Sequence, residues 1–356
     1  MKVKLVDVAK ACGVSVSTVS RVINGDRERP ASTETTEKIW KAVKELGYVP
    51  NKNAKCLVKG EDSDVAKLGR IGCIYTSSFD LNNDPFFSCI GLGIQKELSR
   101  NNYEMAYTVS AAMMDYEELY SYLLKHEADG IIVLGRFSES ILEMLKKHID
   151  YIVYAGVNSV GHDIDEVICD GYDGAMCALE HLFEMGHREI GYVGYVKDEL
   201  DEHTIMNEHR FEAYKAFLNK HNKVVKPRQV VHTKIKTTDA YHNMKEYLSL
   251  NTNIPSAFYC ANDATAFGVM KALQEAGFRI PEDVALVGLD NVEMSTFVTP
   301  NLSTISIPQR ALGERAVQLL IEQIETKRDY SLKINLPFNL IVRESSNYIK
   351  GDQLCI

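Results

Sequence analysis

The 356-residue sequence predicts an N-terminal all-α head, made of a helix-turn-helix and a hinge helix, joined to an α/β core of two lobes built on parallel sheets. Three observations carry that prediction. Residues 5–24 show helical apolar spacing interrupted by one glycine corner. Residues 1–60 hold twelve Lys or Arg against six Asp or Glu, a net of +6 in a chain whose total is −9. From Arg70 onward, short continuous apolar runs alternate with amphipathic stretches, as strands covered on both faces by helices require.

In the head, Leu5, Val8 and Ala9 give the first helix one apolar face, and Gly13 supplies the corner. Ser15 is the expected N-cap of the second helix, whose inward face is Val19, Val22 and Ile23. Val16, Ser17 and Arg21 are left on the opposite side, the side that a recognition helix lays into a major groove. A third helix is expected from about Ser32 to Leu46, with Ile39, Trp40, Val43 and Leu46 closing the bundle and Gly47 ending it. Pro50 then starts a short segment poor in apolar residues, about 50–58, too short to hold helix alone.

Val3-Lys4-Leu5-x-Asp7-Val8-Ala9, Thr18-Val19-Ser20-Arg21-Val22-Ile23-Asn24-Gly25 and Gly47-Tyr48-Val49-Pro50-Asn51 together closely resemble the LacI/GalR family of bacterial repressors, and the likeness runs over nearly the whole chain. The resemblance implies that the segment 50–58 is a hinge helix ordering on operator DNA, with Leu57 wedged into the minor groove. An apolar wedge at that place is chemically sensible, because unstacking a base step bends the duplex towards more phosphate contact. Arg21 would read a guanine edge, Val16 a thymine methyl and Ser17 the neighbouring position, with Ser15, Thr18 and Asn24 on phosphates. The linker 59–69 is about six residues longer than is usual in the family and carries Glu61, Asp62 and Asp64; the loop Gly25 to Ala31 is also lengthened.

A basic head on an acidic body suits phosphate binding at one end and solubility elsewhere. No apolar run approaches the ~18–20 residues of a membrane span, and the N-terminus reads as a folded helix rather than an export signal. Eight scattered cysteines without a Cys-x-x-Cys pair point to a reducing cytoplasm.

In the core, strands are expected at 71–75, 130–134, 151–155, 190–194, 257–260 and 284–289, with helices at 86–101, 139–148, 174–185, 208–221 and 264–276. About 280 residues exceed one such unit, so two similar lobes are expected. The resemblance implies the periplasmic-binding-protein-like fold, with three crossovers, a first lobe of about 70–169 and 300–328, and a second of about 170–299 and 329–347. The tail, 348–356, has no leucine heptad, so a homodimer is expected rather than a four-chain assembly.

Ligands of open parallel sheets sit beyond the carboxyl ends of strands. Four stretches fall there. Asn262-Asp263 matches the family's Ala-Asn-Asp element, so the resemblance makes Asn262 a candidate for hydroxyl recognition, with helix capping as the alternative for the pair. Asp290, ending a strand, offers a carboxylate that accepts two sugar hydroxyls. Arg210 opens a helix, and the resemblance aligns it with the family's cleft arginine, a planar fork for ring oxygen and hydroxyls. Asn83-Asp84-Pro85-Phe86-Phe87 offers Phe86 or Phe87 for stacking on a sugar face. A cleft aspartate known from the family has no clear counterpart, and Asn158 stands in the aligned region.

No His-Glu-x-x-His, Gly-x-Ser-x-Gly or phosphate-cradling Gly-rich loop occurs, and His203, Glu208 and His209 do not share a helical metal face. The expectation is therefore no enzyme, no cofactor and no metal. The partners expected are pseudo-palindromic operator DNA and a small sugar, with a weak lean to galactosides from Val16-Ser17 and the Asp-Pro-Phe-Phe loop. The alternative in the same family is a corepressed or global catabolite regulator that binds DNA only with a ligand or phosphoprotein partner.

Overall fold

The computed structural model describes residues 3–23, 31–46, 48, 69–76, 84–135, 137–161, 163–196 and 208–348. The head consists of α1 (Leu5–Cys12), α2 (Val16–Ile23) and α3 (Thr33–Leu46). Gly13 makes the corner at φ 67°, the left-handed conformation that a residue without Cβ adopts cheaply, and its N–H caps Lys10. Val8, Val19, Ile23, Ile39, Trp40 and Val43 form the small core. Leu46 departs from expectation: it is 39% exposed. Tyr48 takes its place, folding back so that its N–H reaches the Val43 carbonyl at 3.2 Å and its side chain is buried.

Two six-stranded sheets follow. The first is ordered β11-β5-β4-β3-β1-β2, from β1 (Gly69–Tyr75), β2 (Tyr103–Ser110), β3 (Gly130–Leu134), β4 (Ile152–Gly156), β5 (Asp165–Ile168) and β11 (Lys333–Asn335). The second is ordered β12-β10-β9-β8-β6-β7, from β6 (Ile190–Gly194), β7 (Val230–His232), β8 (Ala257–Cys260), β9 (Ala285–Asp290), β10 (Ser303–Ser306) and β12 (Asn339–Ile341). All pairings are parallel except β10 with β12. Every residue of β3, β4, β6, β8 and β9 is buried, which is why these strands read as unbroken apolar runs.

In the first lobe, α4 (Pro85–Arg100) and α11 (Gln309–Thr326) share one face, while α5 (Tyr116–Lys125) and α6 (Glu139–His148) cover the other. Gly93 and Gly313 let α4 and α11 meet backbone to backbone: a Cβ at either would stand 2.2 Å from a carbonyl oxygen of the other helix. In the second lobe, α7 (Gly171–Glu184) and α8 (Arg210–Lys220) cover one face, and α9 (Thr237–Leu250) and α10 (Asp263–Glu275) the other.

The crossovers differ from expectation at two places. β10 pairs with β9 and so belongs to the second lobe, whereas the segment from 300 was expected in the first. β11 pairs with β5 in the first lobe, whereas 329 onward was expected in the second. A buried Arg328–Asp165 ion pair, with the Leu332 N–H on Asp165 Oδ1 at 2.8 Å, holds this return into the first sheet. Strands of three or four residues carry too little pattern to announce which sheet they join. Among the described residues, no helix is long and apolar enough to cross a membrane.

Candidate functional sites in the head and between the lobes

The outward side of α2 is a hydrogen-bonded strip. Ser15 Oγ accepts the Thr18 N–H at 3.1 Å, the cap expected from sequence, and lies 2.8 Å from both Ser17 Oγ and Thr18 Oγ1. Arg21 Nε donates to the Ser17 carbonyl and Nη2 to Thr18 Oγ1, each at 3.3 Å. With Val16 39% exposed beside them, Ser15, Val16, Ser17, Thr18 and Arg21 occupy one accessible side, while Val19 and Ile23 point into the core. Arg21 still has N–H donors to spare, since a guanidinium carries five. Asn24 and Leu57, with the hinge segment 50–58 and the linker 59–68, lie outside the described residues.

The head rests on the first lobe. Tyr120 Oη of α5 donates to the Tyr48 carbonyl at 3.0 Å, and the Trp40 and Tyr120 rings meet edge to face at 5.3 Å. Ser121 Oγ donates to the Ile23 carbonyl at 3.4 Å.

A second group converges beyond the carboxyl ends of β8 and β9. Asn262 is the N-cap of α10, its Oδ1 accepting the Thr265 N–H at 2.9 Å, and its side chain lies near enough to Asp290 to favour that group's charged form. The cap of this helix is therefore Asn262 itself, the residue that the sequence offers as a ligand candidate. Asp263 does not cap: wholly buried, it accepts from Thr304 Oγ1 at 2.5 Å and from the Val292 N–H at 3.0 Å. Burial raises its pKa to about 6 against those hydrogen bonds. Asp290 is pushed well above the usual carboxylate range by burial and then by the Asp263 charge.

Arg210 is buried at the start of α8. Its Nε donates to Glu208 Oε1 at 2.7 Å, its Nη2 to Glu208 Oε2, and its Nη1 to the Ala261 carbonyl at 2.7 Å. Burial works against the charge, but Glu208 outweighs it and keeps the guanidinium protonated. Tyr259, at the end of β8, is wholly buried beside Arg210, Glu208 and Asp290, and its hydroxyl has no partner among the described residues.

From the first lobe, Asp84 caps α4 by accepting the N–H groups of Phe86 (3.1 Å) and Phe87 (3.4 Å). Its charge is felt by Asp290, so this loop faces the second-lobe group. Phe86 and Phe87 are half-buried, edge to face at 5.4 Å, and both pack against the core. Asn158 is 3% exposed with Oδ1 unpartnered among the described residues, at the first crossover: a Cβ on Gly171 would lie 2.5 Å from that oxygen. Structure therefore brings Arg210, Asn262 and Asp290 together and adds Glu208 and Tyr259, which sequence reasoning missed. The Glu-x-Arg spacing at a helix start was the available signal for Glu208; nothing local marks Tyr259.

Comparison with known proteins agrees with the two-part fold. Residues 4–51 match the family of bacterial regulatory proteins, lacI family, and residues 179–346 match a periplasmic binding protein-like domain. The chain is 31% identical to the HTH-type transcriptional repressor PurR of Mannheimia succiniciproducens, over 95% of this chain and 97% of that protein. It is 28% identical to the HTH-type transcriptional repressor MelR of Bacillus subtilis, over 96% and 97%. Among solved structures, a transcriptional regulator CelR–cellobiose complex superposes with a TM-score of 0.72 at 26% identity, over 97% of this chain and 100% of that one.

Proposed function

The chain belongs to the lacI family of bacterial regulatory proteins, and from that premise we propose that it represses carbohydrate-utilisation genes, holding pseudo-palindromic operator DNA as a homodimer and releasing it when a small sugar binds between the lobes. It is a regulator and not an enzyme. The observation that carries the ligand half of this reading is the cluster of Arg210, Asn262 and Asp290: a donor fork, an amide and a carboxylate gathered beyond strand ends suit a polyhydroxylated ring. The relative that binds cellobiose supports a sugar, and the Asp84–Phe87 loop supplies the aromatic rings for a galactoside-type face.

In the DNA half, Arg21 pairs with a guanine edge, Val16 meets a thymine methyl, and Ser17 tunes the next position. Ser15, Thr18 and Asn24 fix register on phosphates, and Leu57 of each subunit opens the central step. Sugar binding alters the lobes, separates the hinge segments and melts them; a shift of ~1–3 kcal/mol suffices because a helix so short has little stability off DNA.

The test is titration of the purified chain onto fluorescent DNA from upstream of its own gene, with and without galactose, lactose, cellobiose and ribose. Salt-dependent binding lost with one sugar supports the proposal. Binding that appears only when a ligand or a protein partner is added replaces it with a corepressed regulator.

A further inference from the structure

Glu208 and Arg210 form a buried ion pair beside Asn262 and Asp290. In this cluster the arginine is not a free cation. Glu208 takes Nε and Nη2 in side-on bidentate fashion, and the Ala261 carbonyl takes Nη1. Both side chains are almost fully buried, at 6% and 1% exposed, so water screens neither charge. Three of the five guanidinium N–H donors are engaged, which leaves two for a ligand, fixed in direction because the fork is planar. The pair as a whole is neutral.

The surroundings are not. Of the charged groups that act most strongly on Asp290, Asp263 and Asp84 are carboxylates, and the third is Arg210 itself, already neutralised by Glu208. Beside them, the Tyr259 hydroxyl is buried without a partner among the described residues, a state that costs free energy unless a ligand group completes it. The site thus offers two fixed N–H donors, buried carboxyl groups that accept when ionised and donate when protonated, and one unpartnered hydroxyl. Arg210 and Arg343 are outnumbered there by the acidic groups Glu208, Asp263, Asp290 and Asp84. Hydroxyl groups satisfy such a set, since each can both donate and accept. A phosphate or carboxylate cannot, because it brings more acceptors and more negative charge to a buried place.

Resting on the sugar-binding reading above, we infer that Glu208 is a positioning residue that turns Arg210 into a neutral, pre-aimed pair of donors, so that the cleft takes uncharged polyhydroxylated ligands and rejects their phosphorylated or acidic forms. Removing the Glu208 charge frees the guanidinium to pair with an anion, and the preference should move accordingly.

Isothermal titration of the full chain with galactose, lactose, cellobiose and ribose, beside galactose 6-phosphate, galacturonate and inorganic phosphate, reads this directly. The expected result is binding of at least one neutral sugar to the wild type, with its acidic counterpart at least 100-fold weaker. In Glu208→Gln, neutral-sugar affinity should fall tenfold or more and the ratio should shift towards the phosphate by at least tenfold. A structural role alone would lower the melting temperature without moving that ratio. Should Glu208→Gln not fold, Glu208→Asp keeps the charge one methylene further back; it should keep the exclusion of anions and lose neutral-sugar affinity, and unchanged affinity overturns the positioning role. Wild-type binding of a sugar phosphate or uronate as tight as its neutral form overturns the inference and leaves repression by a ligand-released protein standing. Failure of every ligand in the panel to bind or to alter operator affinity overturns both.

Discussion

Gln309 Nε2 donates to the main-chain carbonyl of Asp290 at 2.7 Å, joining the first turn of α11 in one lobe to the end of β9 in the other. Asp290 sits at φ 130°, a backbone conformation that a residue with a Cβ rarely adopts, and the Gln309 amide is one of the contacts that hold it there. Since α11 packs backbone to backbone on α4, this bond ties the end of β9 to the body of the first lobe.

Gln309→Leu should therefore weaken communication between sugar and DNA. Loss of one such hydrogen bond is worth about 1 kcal/mol, so the sugar-induced change in operator affinity should shrink by roughly fivefold. Fluorescence anisotropy of operator DNA, run with and without sugar, measures it. An undiminished sugar response would sink this coupling.

Asp290→Asn should make stability less dependent on pH. Asp263 has its pKa raised from 3.8 to about 6 in the fold, so the native state binds its proton more readily than the unfolded chain. Wild-type stability from this group is therefore lost as pH rises from about 4 through about 6, and Asp290, raised in the same direction, adds to the loss. Removing the Asp290 charge relieves the pair at pH 7.5, where two buried neighbouring carboxyls would otherwise both have to ionise. By calorimetry the variant should melt above wild type at pH 7.5, with the gap closing by pH 5. Titrating histidines cancel in the difference between the two proteins. Sugar affinity should fall at least tenfold in the same variant. A gap independent of pH would remove the electrostatic account.

Trp40 is the chain's single tryptophan and lies against Tyr120 of the first lobe, so its emission reports the seat of the head. Tyr120→Ala removes both the edge-to-face ring and the hydrogen bond to Tyr48, and should shift the emission to longer wavelength. Tyr120→Phe keeps the ring, loses about 1 kcal/mol, and should shift it less. Identical spectra for wild type and Tyr120→Ala would mean that the head is not seated there in solution.

Arg21→Ala should cost operator binding about 1–3 kcal/mol and relax preference at one base pair, with little effect on nonspecific binding. Leu57→Ala should likewise weaken specific binding far more than nonspecific, through the wedge rather than a base edge. Competition with scrambled DNA separates the two quantities. Equal losses on operator and scrambled sequence would remove the assigned role from whichever residue showed them.

Sequence alone determined what short-range physics controls. Gly13 at the corner, Ser15 as cap, the inward Val19 and Ile23, and the fully buried runs of β3, β6 and β8 are each decided within a few residues, where helical and strand periods leave their mark. As candidates, Asp290 came from its place at a strand end, and Arg210 and Asn262 came from the family resemblance together with their places at helix starts. Tertiary structure decided the rest. Which sheet receives β10 and β11 depends on pairing with distant strands, and three- or four-residue strands carry no address. That Asn262 and not Asp263 caps α10, that Arg210 reaches the Ala261 carbonyl 51 residues away, and that Gln309 holds Asp290 all follow from where other elements place their acceptors. A buried charge is settled by partners brought to it by the whole fold, and periodicity records only the neighbours along the chain.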